Sequence, residues 1–137
     1  MSNILDLVNF ALQDIKKTAR CIVFGTTPNY VAQEIAKITG VSVKGLKKTI
    51  TADGIRHAFG GHGNDLLERK RRQIGITPEC FTYLTEVIAD YDYVEEGDPT
   101  RKPKSVLYIK RVSVGLLHVV MACYSEDLVF KTMYLKP

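Results

Sequence analysis

The last third of the chain constrains the fold most strongly. Turn-length connections, SVG and SED, separate three runs rich in β-branched and aromatic residues: SVLYIKRV (105–112), LLHVVMACY (116–124) and LVFKTMYLK (128–136). Short runs of this kind joined by tight turns are typical of an antiparallel β-meander. Because side chains alternate along a strand, the last strand is predicted to have two distinct faces. These faces would carry Leu128, Phe130, Thr132 and Tyr134 on one side and Val129, Lys131, Met133 and Leu135 on the other.

Helical patterns dominate the first 90 residues. Residues 3–18 have apolar positions at amphipathic-helix spacing, with Ser2 or Asn3 as a cap. Three predictions follow along the chain: a short strand in CIVFG (21–25), a capped helix in TTPNYVAQEIAKITG that ends near Gly40, and a loop or edge strand in VSVKGLKKTI. Helices followed by a small antiparallel sheet make an α+β fold. The length favours one domain over residues 1–137, helical over about 1–90 and β over about 104–136.

Three short helices are predicted between residues 51 and 90. Thr51 or Asp53 would cap the first, which ends at Gly60-Gly61 because glycine adopts the left-handed conformation without steric cost. Asn64 or Asp65 would cap the second, over 66–73. Thr77-Pro78-Glu79 has the residue types of a helix start, and the buried face of this third helix would be Phe81, Leu84, Val87 and Ile88.

The stretch GIRHAFGGHGND places His57 and His62 on either side of the glycine pair. On an uninterrupted helix, residues five apart point roughly 140° away from each other. If the helix ends at Gly60-Gly61, the chain can fold back and bring both rings to one cleft over the sheet. We then expect Thr132 of the last strand in the same cleft.

Three interpretations of these histidines are open. In RNA cleavage by acid–base catalysis, one ring takes the proton of the 2′-hydroxyl and the other protonates the departing 5′-oxygen, without a metal. Alternatively, His57, His62 and His118 could supply three nitrogens to zinc, although no HExxH motif or paired-cysteine spacing supports such a site. Thirdly, they could be ordinary turn histidines.

Charge permits a nucleic-acid partner without requiring one. The net charge is +4 and the pI is about 9.0, with cations concentrated in ERKRRQ (68–73) and RKPKS (101–105) and acids in DYDYVEEGD (90–98). Either basic run could also be solvated surface. No apolar run reaches 18 residues and the first residues lack the pattern of a signal peptide, so no membrane association is expected. Cys21, Cys80 and Cys123 are predicted to be buried free thiols in a reducing compartment.

Four segments in a fixed order resemble a known nuclease group: GTTPNYVAQEIAKITG, LKKTITADGIRHAFGGHG, RQIGITPECF and the terminal LVFKTMYLK. The resemblance is to the phage-associated branch of the barnase–EndoU–colicin E5/D–RelE-like nucleases and covers about residues 22–135. It implies N-terminal helices, a four-stranded antiparallel sheet that holds the site, and metal-independent RNA cleavage that leaves a 2′,3′-cyclic phosphate. The segment ERKRRQIG is more basic than is usual in the group, and only three strands are clear, so the fourth is expected near 91–95 or to be irregular.

The resemblance also implies roles for residues. His57 and His62 would be the general acid and base, Thr132 would hydrogen-bond to the phosphate, and Lys110, or else Arg111, would stabilise its charge. The candidate substrate-binding residues are Arg56, Arg71, Arg72, Gln73, Arg111 and Tyr134. His118 alternates with apolar residues and is predicted to be a core histidine or one that supports the site.

These observations favour an endoribonuclease of the toxin or phage-effector type that needs no cofactor and acts in the bacterial cytoplasm. Its substrate would be tRNA or another structured RNA, and a cognate immunity or antitoxin protein would be a natural partner. Two alternatives are a catalytically inactive RNA- or protein-binding module and a structural domain of a phage particle.

Overall fold

The computed structural model describes residues 3–13 and 20–137. The α-helices are α1 (Asn3–Gln13), α2 (Asn29–Thr39), α3 (Ala52–His62), α4 (Asp65–Lys70) and α5 (Leu84–Ala89), and a 3₁₀ helix, Pro78–Tyr83, leads into α5. The strands are β1 (Cys21–Thr26), β2 (Lys47–Thr51), β3 (Tyr93–Glu96), β4 (Ser105–Val112), β5 (Gly115–Cys123) and β6 (Asp127–Lys136). The proposed cap at Ser2 and the predicted helix beyond residue 13 fall outside the described residues.

The described strands form one sheet in the order β1-β2-β6-β5-β4-β3. All neighbours are antiparallel except β2 and β6, which run parallel. The predicted α+β fold and the meander are confirmed, and β3 supplies the further antiparallel strand near 91–95. In VSVKGLKKTI, residues 41–46 form a loop, but the strand that follows, β2, lies inside the sheet between β1 and β6 and not at its edge.

The helices cover one face of the sheet and bury a single apolar core. The core-facing side chains of β6 are Leu128, Phe130, Met133 and Leu135. The sequence predicted strict alternation, which placed Thr132 and Tyr134 on the face of Phe130. A register shift between Val120 and Met121 of β5 marks a β-bulge opposite Lys131 and Thr132. The extra residue resets the alternation, so Thr132 and Tyr134 lie on the opposite, open face.

The most important correction concerns α3. This helix continues through Gly60 and Gly61 to His62, and Gly63 caps it in a right-handed conformation. The predicted end at the glycine pair is therefore wrong. The caps themselves are confirmed, since the Thr51 side chain accepts a hydrogen bond from Gly54 N and that of Asn64 accepts one from Leu67 N.

Two smaller differences concern α4 and the cysteines. The helix predicted over 66–73 ends at Lys70, and Arg72 follows with a φ of 59°. Cys80 and Cys123 are buried free thiols as predicted, but Cys21 is exposed. The buried faces of the 3₁₀ helix and α5 contain Phe81, Leu84, Val87 and Ile88, as the sequence indicates. In the described part of the chain, every helix is too short or too polar to cross a membrane.

Candidate functional site

The open face of the meander carries two rows of side chains across β4, β5 and β6. Strand pairing aligns Leu107, Val120 and Thr132 in one row. The next row contains His118 and Tyr134. This face is opposite to the one that carries the core residues Phe130, Met133 and Leu135.

An aromatic column organises the centre of this face. The His118 and Tyr134 rings stack with centroids 4.6 Å apart, and His118 is only 7% exposed. His118 Nδ1 donates to the Leu116 carbonyl at 3.1 Å, because a carbonyl oxygen can only accept. Burial and the nearby Lys136 lower the pKa of His118, so its ring is neutral at neutral pH. The packed imidazole holds the tyrosine ring in place.

His62 also lies near the Tyr134 ring. Its ring centroid lies 5.6 Å from that of Tyr134. Nδ1 of His62 is 3.0 Å from Oε2 of Glu68, a carboxylate with no exposed side-chain surface. Oε1 of Glu68 accepts a hydrogen bond from Arg71 Nη1 at 2.9 Å. His62 is therefore held between a buried carboxylate and an aromatic wall.

A cavity of about 370 Å³ opens beside Tyr134. Its floor is apolar, formed by Leu107 and Val120, and Lys131 and Thr132 line one side. Ser105 also lines it; this residue is 4% exposed, and its hydroxyl has no hydrogen-bond partner in the part of the chain that the structure describes. The cavity is within the size range of ligand sites and combines an apolar floor with a few polar groups.

The structure does not bring His57 to this site. His57 is exposed on α3, and the unbroken helix directs it roughly 140° away from His62. Arg56 points elsewhere too, since its Nε donates to the Ala11 carbonyl at 2.8 Å and its Nη1 pairs with Asp53. Arg56 therefore joins α3 to α1.

Lys110 lies on the helical side of the sheet, opposite to Thr132. Its Nζ is 3.4 Å from Asp90 Oδ2 and 3.7 Å from Asp92 Oδ1. Desolvation disfavours the charged form of Lys110, but the hydrogen bond and charge of Asp90 outweigh it and raise the pKa. Arg111 is exposed at the far end of β4, in the row of Leu116 and Lys136. Neither cation borders the cavity beside Thr132.

The cations of the basic run after α3 fall into two groups, those in ion pairs and those without a carboxylate partner in the described chain. Arg69 pairs with Asp65 at 2.9 Å, and Arg71 with Glu68 and the Gly61 carbonyl. Lys70 and Arg72 are exposed and have no carboxylate partner among residues 3–13 and 20–137. Gln73 precedes Ile74, which forms an isolated β-bridge with Leu135 of β6. The side-chain Oε1 of Gln73 is buried and has no hydrogen-bond partner among residues 3–13 and 20–137.

The three histidines do not converge. No group of three His, Cys, Asp or Glu side chains within the described ranges is arranged to hold a metal ion. The zinc site considered from the sequence is therefore not formed by His57, His62 and His118.

Two site residues were missed at the sequence level. Glu68 is the first residue of the basic run ERKRRQ, and nothing in the sequence indicated that it is buried. Its i,i+3 spacing from Arg71 is compatible with an ion pair. Lys131 was grouped with Met133 and Leu135, because the bulge that separates it from these core residues depends on pairing with β5.

Lys131 and Thr132 line the cavity, and the His62 imidazole lies near Tyr134, which also lines it. An imidazole, a hydroxyl and a cation are groups that phosphodiester cleavage can use. The family model described as PBECR3, phage-Barnase-EndoU-ColicinE5/D-RelE like nuclease3, matches residues 28–137. The match spans most of the chain, and the chain belongs to this family of phage-associated nucleases. Comparison with curated proteins and with solved structures gives no match.

Proposed function

We propose that the chain is a metal-independent endoribonuclease that cleaves tRNA or another structured RNA and leaves a 2′,3′-cyclic phosphate. One observation carries this proposal: His62 is hydrogen-bonded to Glu68 and lies near Tyr134, which lines the same cavity as Thr132. An imidazole can move a proton, and a hydroxyl can bind a phosphate oxygen.

The chemistry needs one nucleophile, and RNA supplies it. The 2′-oxygen loses its proton and bonds to phosphorus, while the bond from phosphorus to the 5′-oxygen breaks and that oxygen gains a proton. His62 exchanges one of these protons through its ring, and solvent water exchanges the other. Thr132 donates a hydrogen bond to a phosphate oxygen, and Lys131 stabilises the negative charge that accumulates there. Lys131 takes the role that the resemblance gave to Lys110, and water takes the proton transfer that it gave to His57.

The cavity beside Tyr134 fits the nucleotide next to the scissile phosphate. Its apolar floor and aromatic wall suit the flat face of a base, because stacking on tyrosine is tolerant of base identity. Burial and the negative charge of Glu95 raise the pKa of Tyr134, so the ring is neutral and retains its hydroxyl donor.

The proposed setting is that of a phage effector or toxin that acts in the bacterial cytoplasm and is controlled by an immunity or antitoxin protein. Expression of the chain in bacteria should then arrest growth, and His62→Ala should relieve the arrest. Equal arrest by both forms would contradict a toxic role for the nuclease site.

The direct test is incubation with total tRNA and rRNA in EDTA, with the product ends mapped. We expect discrete cuts that end in 2′,3′-cyclic phosphate and that disappear in His62→Ala. Activity that is lost in EDTA and restored by zinc would contradict metal independence. RNA binding without any cleavage would favour the alternative, an inactive RNA-binding module.

A further inference from the structure

We propose that Glu68 is a positioning residue that fixes the tautomer of His62. The inference rests on the proposed function for its catalytic meaning, but its geometry is independent of that function. In this arrangement Nδ1 of His62 carries a proton, and Nε2 is the atom available to the substrate.

The hydrogen bond between the two side chains is the first support. Nδ1 of His62 lies 3.0 Å from Oε2 of Glu68. A carboxylate can only accept, so the shared proton belongs to Nδ1 and the neutral ring has Nε2 as its free acceptor. Carboxylate partners of this kind set both the tautomer and the orientation of functional imidazoles.

Burial is the second support. Glu68 has no exposed side-chain surface, whereas the Arg71 side chain is 55% exposed and that of His62 is 21% exposed. A buried carboxylate is costly unless its oxygens are paired, and here each oxygen has its own partner. A surface ion pair between Glu68 and Arg71 alone could form without this burial.

Helix geometry is the third support. Glu68 is on α4 and His62 is the last residue of α3, so the contact spans the connection around Gly63 and Asn64. Arg71 bonds to both Glu68 and the Gly61 carbonyl, which ties the end of α4 to the end of α3. The ring of His62 is thereby held near Tyr134, which lines the cavity.

A purely structural alternative makes a different prediction. If Glu68 only joins α4 to α3, then Glu68→Gln and Arg71→Gln should have matching effects, because each removes the same ion pair. If Glu68 positions His62, only Glu68→Gln should change the imidazole. The amide can present either its oxygen or its NH₂ to Nδ1, so both tautomers become available.

Nitrogen-15 NMR of the histidine side chains decides between these cases on the full chain. In the wild type at neutral pH, we expect a proton on Nδ1 of His62, assigned by comparison with His62→Ala. Arg71→Gln should keep this tautomer, and Glu68→Gln should give a mixture. Glu79→Gln, at an exposed glutamate of the 3₁₀ helix, is the matched control and should change nothing.

Kinetics give the second readout. Glu68→Gln should lower kcat by about 10- to 10⁴-fold with little change in KM, the range reported for loss of a carboxylate partner of a functional histidine. Glu68→Asp should recover part of the loss and the Nδ1–H form. A wild-type His62 protonated only on Nε2 overturns the inference, even if Glu68→Gln does not fold. Failure of the wild type to cut RNA would instead refute the proposed function and leave the tautomer result to decide this one.

Discussion

His62 and His57 have opposite surroundings although they share one helix. His62 contacts Glu68 and Tyr134, whereas His57 is exposed and has no hydrogen bond or ion pair among residues 3–13 and 20–137. Their spacing in the sequence made both histidines candidates, but it gave no information about which way each side chain points. The buried carboxylate that distinguishes them lies six residues beyond His62.

The two histidines should therefore differ on substitution. His62→Ala should lower the RNA cleavage rate by about 10²–10⁴-fold, the usual contribution of a general acid or base. His57→Ala is the matched control on the same helix and should cut RNA at close to the wild-type rate. Single-turnover cleavage of a labelled RNA measures both, and a large loss in His57→Ala would contradict the assignment.

His118 gives a prediction about stability and pH. Its folded-state pKa is below the usual 6.5 because of burial, so the unfolded chain binds a proton first as the pH falls. The contribution of His118 to stability is fully present above about pH 6.5. It is lost as the pH falls through the lower pKa of His118 in the folded state. Urea unfolding at several pH values should show a flatter decline in His118→Gln than in the wild type. Parallel declines in the two proteins would be the contrary result.

At the scale of elements, the helix caps and strand runs could be predicted, since each depends on a few adjacent residues. Thr51, Asn64 and Gly40 all occupy the ends that their side chains or conformations favour. The bulge in β6 could not be predicted, because its phase shift arises from pairing with β5. The continuation of α3 through two glycines was also missed, since packing overrides the weak helix propensity of glycine.

The course of α3 can be tested with alanine. Gly60 and Gly61 are helical, and a Cβ at either would meet nothing within 4 Å. Gly60→Ala and Gly61→Ala should each raise the free energy of unfolding by about 0.5–1 kcal/mol. Gly63→Ala should instead destabilise, because its Cβ would lie 2.6 Å from the Phe59 carbonyl oxygen. Thermal unfolding measures all three, and destabilisation by the first two would indicate a helix that ends at Gly60.

At the scale of the whole molecule, the α+β class and the meander could be predicted, but the full sheet could not. The parallel pairing of β2 with β6 joins residues about 80 apart, and no local pattern encodes such a contact. The location of the site on the open face followed from that sheet and from the bulge. The sequence therefore predicted Thr132, Tyr134 and His62 as candidate site residues without indicating which of them lie close together.

The distribution of charge predicts how the molecule binds RNA. Lys70 and Arg72 are the exposed cations of the basic run that lack a carboxylate partner in the described chain, so they are free to contact phosphates. Lys70→Gln and Arg72→Gln should each lower the log–log salt slope of binding to single-stranded RNA by roughly 0.7. Lys37→Gln on α2 is the control. Fluorescence anisotropy over a salt series measures the slopes, and unchanged slopes would mean that the run is only solvated surface.

The central claim is cleavage by attack of the substrate's own 2′-hydroxyl at the His62 site. The most direct measurement uses an RNA oligonucleotide with a mapped cut and the same oligonucleotide with a single 2′-deoxy sugar at that position. We predict that the all-ribose strand yields a 2′,3′-cyclic phosphate, while the substituted strand binds with similar affinity and is not cut there. Cleavage of both strands at the same position and rate would contradict the claim, because a water molecule would then be the nucleophile.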